Sequence, residues 1–287
     1  MKVGIDVSNW QGKINWNSVK QNIDFAIIRA GYEYTIDKKA KYNADECQRL
    51  GIPFGFYWFS YAYNKQTAER EAQAFIDFAK KYRVSYPLYF DFEYDSVKFA
   101  KTKGAKVTAN FVQELATVFC EKLEQAGFYA GIYSNLDFIK NYYGSEIFDR
   151  FTLWYAQYPE NTYGTVPIHQ YSSKGRVIGI NSHVDLNKCY IDFPSIIKSK
   201  QPEIKIDDVV MAVLVGEYGN GAERQRKITE AGYDYLQVQE RINLYYKLAE
   251  EVIAGKYGNY PKRKTELEKL GADYSCVQFI VNEKLKK

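Results

Sequence analysis

Histidine is scarce in this chain: His169 and His183 are the only two in 287 residues. That argues against a zinc site of the usual histidine-rich kind, and nothing in the sequence calls for a cofactor. The four cysteines, Cys47, Cys120, Cys189 and Cys276, show no Cys-x-x-Cys spacing. They read as free, mostly buried thiols, not as a disulfide framework. Lysine and arginine form no long run and the formal net charge is only +4, so nucleic acid has little support as a partner. A mild positive balance fits an anionic polymer such as a bacterial wall. No segment approaches the roughly 20 apolar residues that a membrane span needs. The first residues, Met1-Lys2-Val3-Gly4-Ile5-Asp6, hold no apolar run of secretion-signal length and already read as a strand. The expectation is synthesis in a host cytoplasm without a signal peptide, followed by release to the site of action.

What is present is apolar and aromatic. Hydrophobic residues make up 46% of the chain, ample for a core, and its length suits one large domain plus something smaller. Twenty-seven tyrosines contribute to an aromatic content of 17%. Tyrosine joins an apolar ring to a hydroxyl, which suits stacking on sugars and bonding their hydroxyls.

The central stretch is Pro87-Leu88-Tyr89-Phe90-Asp91-Phe92-Glu93, a short buried strand ending in two carboxylates. Asp91 and Glu93 are two residues apart, so they share a face with Cα atoms roughly 6.6 Å apart. Mutual repulsion should raise at least one of their pKa values toward the proton-donor range. Such a pair can split a glycosidic bond: one acid protonates the leaving oxygen while the other supports the cationic centre.

Around it, apolar runs predict strands at residues 3–7, 24–30, 53–59, 87–93, 129–133, 151–156, 166–171 and 183–186. Helices are predicted near 16–22, 39–50, 65–81, 108–126 and 135–141. Alternating strands and helices indicate an α/β fold with a parallel sheet, and eight strands suggest a closed barrel with an irregular second half. In α/β barrels the site lies at the C-terminal strand ends. Asp6, Asp91, Glu93 and Asp185 fall at or near such ends and would converge on one mouth. Trp58, Tyr133, Trp154, Gln157 and Gln170 sit at comparable places and would line a carbohydrate cleft with stacking faces and amide donors.

Residues 1–195 also resemble the glycoside hydrolase family 25 muramidases. The matching pieces are GIDVSNWQG (4–12), YFDFE (89–93), LWYAQY (153–158), HQYSS (169–173) and VDLN (184–187). The resemblance implies a flattened, incomplete β/α barrel that cleaves the β-1,4 bond between N-acetylmuramic acid and N-acetylglucosamine. It makes Glu93 the general acid, Asp91 the carboxylate assisting at the anomeric side, and Asp6 and Asp185 the remaining acids of the cleft floor. Asp91 would either attack the anomeric carbon or orient the substrate's own acetamido group to do so. A barrel that only binds wall, and a chitinase-like glycosidase, are the alternatives.

Residues 196–205 read as a polar linker around Pro202. Beyond it, residues 213–243 recur at 252–282 with a constant offset of 39, repeating Gly216, Tyr218, Gly219, Asn220, Arg224, Gly232, Asp234, Gln239 and Asn243 among others. Two units, 206–245 and 246–287, are each expected to form a small three-helix bundle. They resemble the CW-seven wall-binding repeat, which implies a muropeptide as partner, with the glycan strand in the barrel cleft. Arg224 and Arg263 recur just after the Gly-Asn turn and are candidates for holding a carbonyl or carboxylate. Overall this predicts an endolysin-like, modular peptidoglycan hydrolase.

Overall fold

The computed structural model describes residues 1–158, 166–197, 206–230 and 233–286; most of the expected linker (198–205) and Gly232 lie outside them. The chain divides into two compact units, Met1–Gln201 and Pro202–Lys287.

In the first unit the strands are β1 (Lys2–Val7), β2 (Phe25–Tyr32), β3 (Thr35–Ile36), β4 (Phe54–Phe59), β5 (Leu88–Asp91), β6 (Ala130–Asn135), β7 (Thr152–Ala156), β8 (Ile168–Gly175) and β9 (Val184–Cys189). The helices are α1 (Trp16–Val19), α2 (Ala40–Leu50), α3 (Lys65–Ala79), α4 (Tyr94–Thr102), α5 (Ala109–Gln125), α6 (Leu136–Phe138), α7 (Ile147–Arg150) and α8 (Phe193–Ile196). Side-chain caps fix where the long helices begin. Asn64 Oδ1 accepts from Thr67 N at 2.9 Å at the start of α3, and Thr108 Oγ1 accepts from Phe111 N at 3.3 Å at the start of α5.

The strands form one sheet in the order β1-β9-β8-β7-β6-β5-β4-β2-β3, and β1 also pairs with β2, which closes the barrel. From β1 through β2 and β4 to β8 the pairings are parallel. The closure is made differently: β9 runs antiparallel to both β8 and β1. Residues 176–183 join β8 to β9 without a helix. A connection that short can reverse the chain, whereas a parallel crossover needs a dozen or more residues.

Strands β2, β4, β5 and β7 are apolar on both faces over most of their length, because one face meets helices and the other the interior. Phe54, Phe56, Trp58, Leu88, Phe90 and Ile132 pack outward with Phe75, Leu115 and Phe119 of α3 and α5. Phe25, Ile27, Tyr86, Tyr89, Trp154 and Ile168 fill the interior. Gly131 makes room for that filling: a Cβ there would lie 2.4 Å from the Tyr89 ring.

The second unit holds α9 (Ile206–Leu214), α10 (Gly221–Glu230), α11 (Tyr235–Ile253), α12 (Lys262–Lys269) and α13 (Tyr274–Leu285). The last helix of the first repeat and the first of the second are continuous in α11. The joining residues, Leu244 to Glu250, include no glycine or proline and are mostly good helix formers. One apolar core, from Val209 to Val281, serves both copies. A polar clasp ties them: Arg241 donates to Asp207 through Nε (2.8 Å) and Nη2 (3.1 Å), and also to Gly271 O. Tyr245 donates to Asp207 Oδ1 at 2.5 Å and accepts from Asp273 N at 3.0 Å. Arg241→Ala would remove the cation and two donors from a largely buried carboxylate that keeps its bond from Tyr245, and about 2 kcal/mol of this unit's stability should be lost. Urea unfolding of the variant against the wild type measures it.

Candidate active site

Cross-strand partners in a sheet share a face, so one row across the mouth can be read from register. Phe59, Asp91, Tyr133, Trp154 and Ile168 are successive partners from β4 to β8. Asp91, the last residue of β5, therefore points into the barrel. The alternation continues past the strand end: Phe92 stacks on Phe90 in the outer core (centroids 6.0 Å, planes 12° apart). Glu93 accordingly returns to the mouth. It is the N-cap of α4, with its N–H donated to Ser96 Oγ at 3.0 Å. This helix, starting directly after the acid, is absent from the sequence expectation.

Asp6 on β1 lies opposite Asp185 on β9. Asp185 thus reaches the mouth from the N-terminal start of a reversed strand, which corrects its expected place at a C-terminal end. Asp6 is buried and its Oδ2 accepts from Gln170 Nε2 and Asn187 Nδ2, both at 2.8 Å. Gln170 Oε1 in turn accepts from the Tyr158 hydroxyl, and the Tyr133 hydroxyl lies 3.1 Å from it, within reach of Glu93 as well.

All four acids are pushed above the usual carboxylate range, and burial is the largest cause in each. The repulsion expected between Asp91 and Glu93 is real but secondary: the charges of Glu93 and Asp6 add to the burial of Asp91. Arg29 opposes them. A hydrogen bond from Tyr133 partly offsets the burial of Glu93. Asp6 and Asp185 face each other across the sheet, and the charge of Asp185 adds to burial in raising Asp6, so the two carboxyls titrate as a pair. Nothing among the described residues donates to Asp91 Oδ1, a buried carboxylate oxygen.

Outside this cluster, burial pushes Glu71 of α3 up to about 8; it accepts from Ser60 Oγ (2.5 Å) and Tyr61 N (3.0 Å). Raised carboxylate pKa values favour the protonated, folded form. The stability they contribute is complete below the unfolded values near pH 4 and is lost as pH rises through the folded ones. The melting temperature should therefore fall from about pH 4 toward 8. Asp91→Asn should melt higher than the wild type at neutral pH and similarly in acid, as calorimetry across that range will show.

The expected cleft residues divide. Tyr133 and Gln170 are in the site, bonded as above. Trp58 is not: it is 0% exposed and packs on Phe75 at 5.6 Å in the helix-facing core. Its register partner is Phe90, on the outer face. The neighbouring Tyr57 faces the interior instead, its ring 5.7 Å from Trp154, and parity along Pro53–Phe59 was the signal for it. Trp154 is enclosed by Tyr57, Tyr89 and Tyr133, and its indole N–H donates to Asn187 Oδ1 at 2.7 Å. It supports the floor and offers no face to a sugar. Gln157 contributes its backbone, donating to Gln170 O at 3.1 Å. Asn187, Tyr158 and Arg29 are site residues missed in the sequence, although Asn187 and Tyr158 lie within VDLN and LWYAQY.

In the second unit Arg224 Nε donates to Gly219 O at 3.1 Å and Arg263 Nε to Gly258 O at 3.0 Å. The recurrent arginines each hold a carbonyl of their own turn. Gly219 and Gly258 have φ of 70° and 67°, a conformation glycine adopts without strain. The turn survives Tyr260-Pro261 in the second copy.

The sequence profile of the glycosyl hydrolases family 25 matches residues 5–180, more than half of the chain. The chain belongs to this family. The CW_7 repeat profile matches residues 207–245 and 247–285. Among similar proteins, the "Autolytic lysozyme" of Clostridium acetobutylicum is 27% identical over 191 residues, 64% of this chain and 55% of that protein. "Lysozyme M1" of Streptomyces globisporus is 45% identical over 60 residues, 20% of each chain. The structure of the modular autolysin LytC from Streptococcus pneumoniae, in complex with a synthetic peptidoglycan ligand, is similar with a TM-score of 0.58. That match has 28% identity and covers 65% of this chain and 46% of that one. The chain thus spans from a fifth to about half of the length of these relatives.

Proposed function

We propose that the family 25 barrel hydrolyses peptidoglycan as a muramidase, cutting the β-1,4 bond between N-acetylmuramic acid and N-acetylglucosamine. The observation that carries it is the pair at the mouth: half-buried Glu93, held above the ordinary range, beside Asp91 with an unpaired buried oxygen. Glu93 protonates the leaving oxygen. An acetamido N–H of the sugar would give Asp91 Oδ1 its missing donor, which favours substrate assistance over direct attack. With that donor Asp91 is stabilised as the anion, and the proton the cluster holds is left on Glu93. Asp6, fixed by Gln170 and Asn187 and facing Asp185, shapes the floor on the far side.

Asp91→Asn should lower turnover by about 10²–10³-fold, the loss typical when a group stabilising transition-state charge is removed. The decisive readout is kcat on soluble muropeptide-bearing glycan, taken with the melting temperature. Residual activity near wild type would remove Asp91 from the chemistry. The reaction itself is tested by mass analysis of digested walls. New reducing ends on muramic acid support the proposal, and released stem peptides would replace it with amidase action.

The second unit is proposed to hold the enzyme on its polymer by recognising muropeptide. Its support is duplication: Gln239–Asn243 and Gln278–Asn282 repeat the same side-chain hydrogen bond (3.1 and 2.8 Å) beside the same arginine-held turn. With this substrate the site of action is the cell wall.

A further inference from the structure

Three of the four tryptophans, Trp16, Trp58 and Trp154, are at most 1% exposed, whereas Trp10 is 76% exposed. Trp10 is the middle residue of a single helical turn, Asn9–Gln11, and that turn is fixed from several sides. Trp10 N donates to Ser8 Oγ at 3.2 Å, and Ser8 N donates to Gln11 Oε1 at 2.8 Å. Asn9 N donates to Asp37 Oδ2 at 3.1 Å, and Arg29 donates to both Asn9 Oδ1 and Asp37. The Asp37 side chain is wholly buried and also accepts from Lys39 N at 2.8 Å. A single exposed apolar side chain is ordinary. A large ring held out in water on a turn that a buried carboxylate hub fixes, at the edge of a cavity, is not.

The cavity measures about 510 Å³ and is lined by Trp10, Arg29, Lys38, Phe59, Tyr61 and Asp95, among others. Phe59 is the register partner of Asp91, so one wall of the cavity stands on the strand next to the one that carries Asp91. Tyr61 is set in the wall by Phe59 and Phe99 (centroids 5.3 and 5.1 Å) and by the bond from its N–H to Glu71. Arg29 is engaged with Asp37 and Asn9, and Asp95 with Lys98 at 2.9 Å, which leaves Lys38 as the rim charge. A single positive charge at the rim rejects neither a neutral sugar nor one bearing a carboxylate. Aromatic faces with scattered polar groups suit a pyranose ring, apolar on its face and hydroxylated at its edge.

We propose that this cavity is a distal glycan subsite, in which a sugar ring beyond those flanking the scissile bond stacks on Trp10. It rests on the reading that the substrate is a glycan strand, and it adds where a longer strand is gripped. Trp10 then distinguishes long strands from short ones.

The isolation of Trp10 supplies the probe. The second unit contains no tryptophan, so quencher-accessible emission belongs to Trp10. In the full-length Glu93→Gln protein, peptidoglycan glycan fragments of three or more disaccharide units should shield Trp10 from acrylamide and shift its emission to the blue. Trp10→Phe should abolish that signal. In the otherwise wild-type enzyme, Trp10→Ala should raise KM for those fragments on the order of 10-fold. The kcat and the melting temperature should stay unchanged. Full acrylamide access with a bound fragment that the wild type cleaves, or a wild-type KM in Trp10→Ala, overturns the subsite and leaves the muramidase reading standing. A wild-type enzyme that cleaves no fragment overturns the muramidase reading itself.

Discussion

Glu93→Gln should lower hydrolysis of soluble peptidoglycan fragments by about 10²–10⁴-fold, the range for loss of a general acid, without weakening their binding. Glutamine matches the shape of glutamate, and its amide oxygen can still accept from Tyr133. The start of α4 depends on the Glu93 backbone N–H to Ser96, which the substitution leaves alone. Only the transferable proton is lost. In the wild type that proton is held by burial above the ordinary carboxylate range, so activity should decline as pH rises through the Glu93 pKa. The variant's residual rate should lack that alkaline limb. Single-turnover rates across pH, with calorimetry as the folding control, measure both effects. A folded variant of near-normal rate would transfer the acid's role to another group.

Ending the chain at Gln201 should leave cleavage of small soluble fragments close to the full-length rate and slow the lysis of intact walls. The apolar clusters of the barrel lie wholly within Met1–Gln201, and that of the helical unit within Pro202–Lys287. The truncation therefore removes no core residue from the barrel. Two weak sites on one chain raise the local concentration at a polymer surface, and avidity can exceed either single affinity by about 10²–10⁴-fold. The loss on walls should be largest at low enzyme concentration, where dwell time limits the rate. Turbidity clearance over a dilution series reads it. Equal wall lysis by folded truncated and full-length proteins would make the second unit an assembly element.

The sequence by itself determined the eight main strands of the barrel, though not the short β3 (Thr35–Ile36), their alternation with helices, and the place of Asp6, Asp91, Glu93 and Asp185 at or near strand termini. Apolar periodicity and motif spacing are local properties, and the 39-residue repeat is visible without any contact. Three matters waited for the tertiary structure. The first was which face of each strand meets the interior. Both faces of β4 are apolar, so Trp58 and Tyr57 look alike until closure sends the first to the helices and the second beneath the acids. The second was strand direction: β9 runs backwards, and only its pairing with β1 sets Asp185 opposite Asp6. The third was how the repeats join, since α11 runs through their boundary and a single core covers both. Burial decided the chemistry as well. Repulsion between neighbouring acids can be read from spacing, but desolvation, the larger cause of the raised pKa values, exists only once the barrel has closed around them.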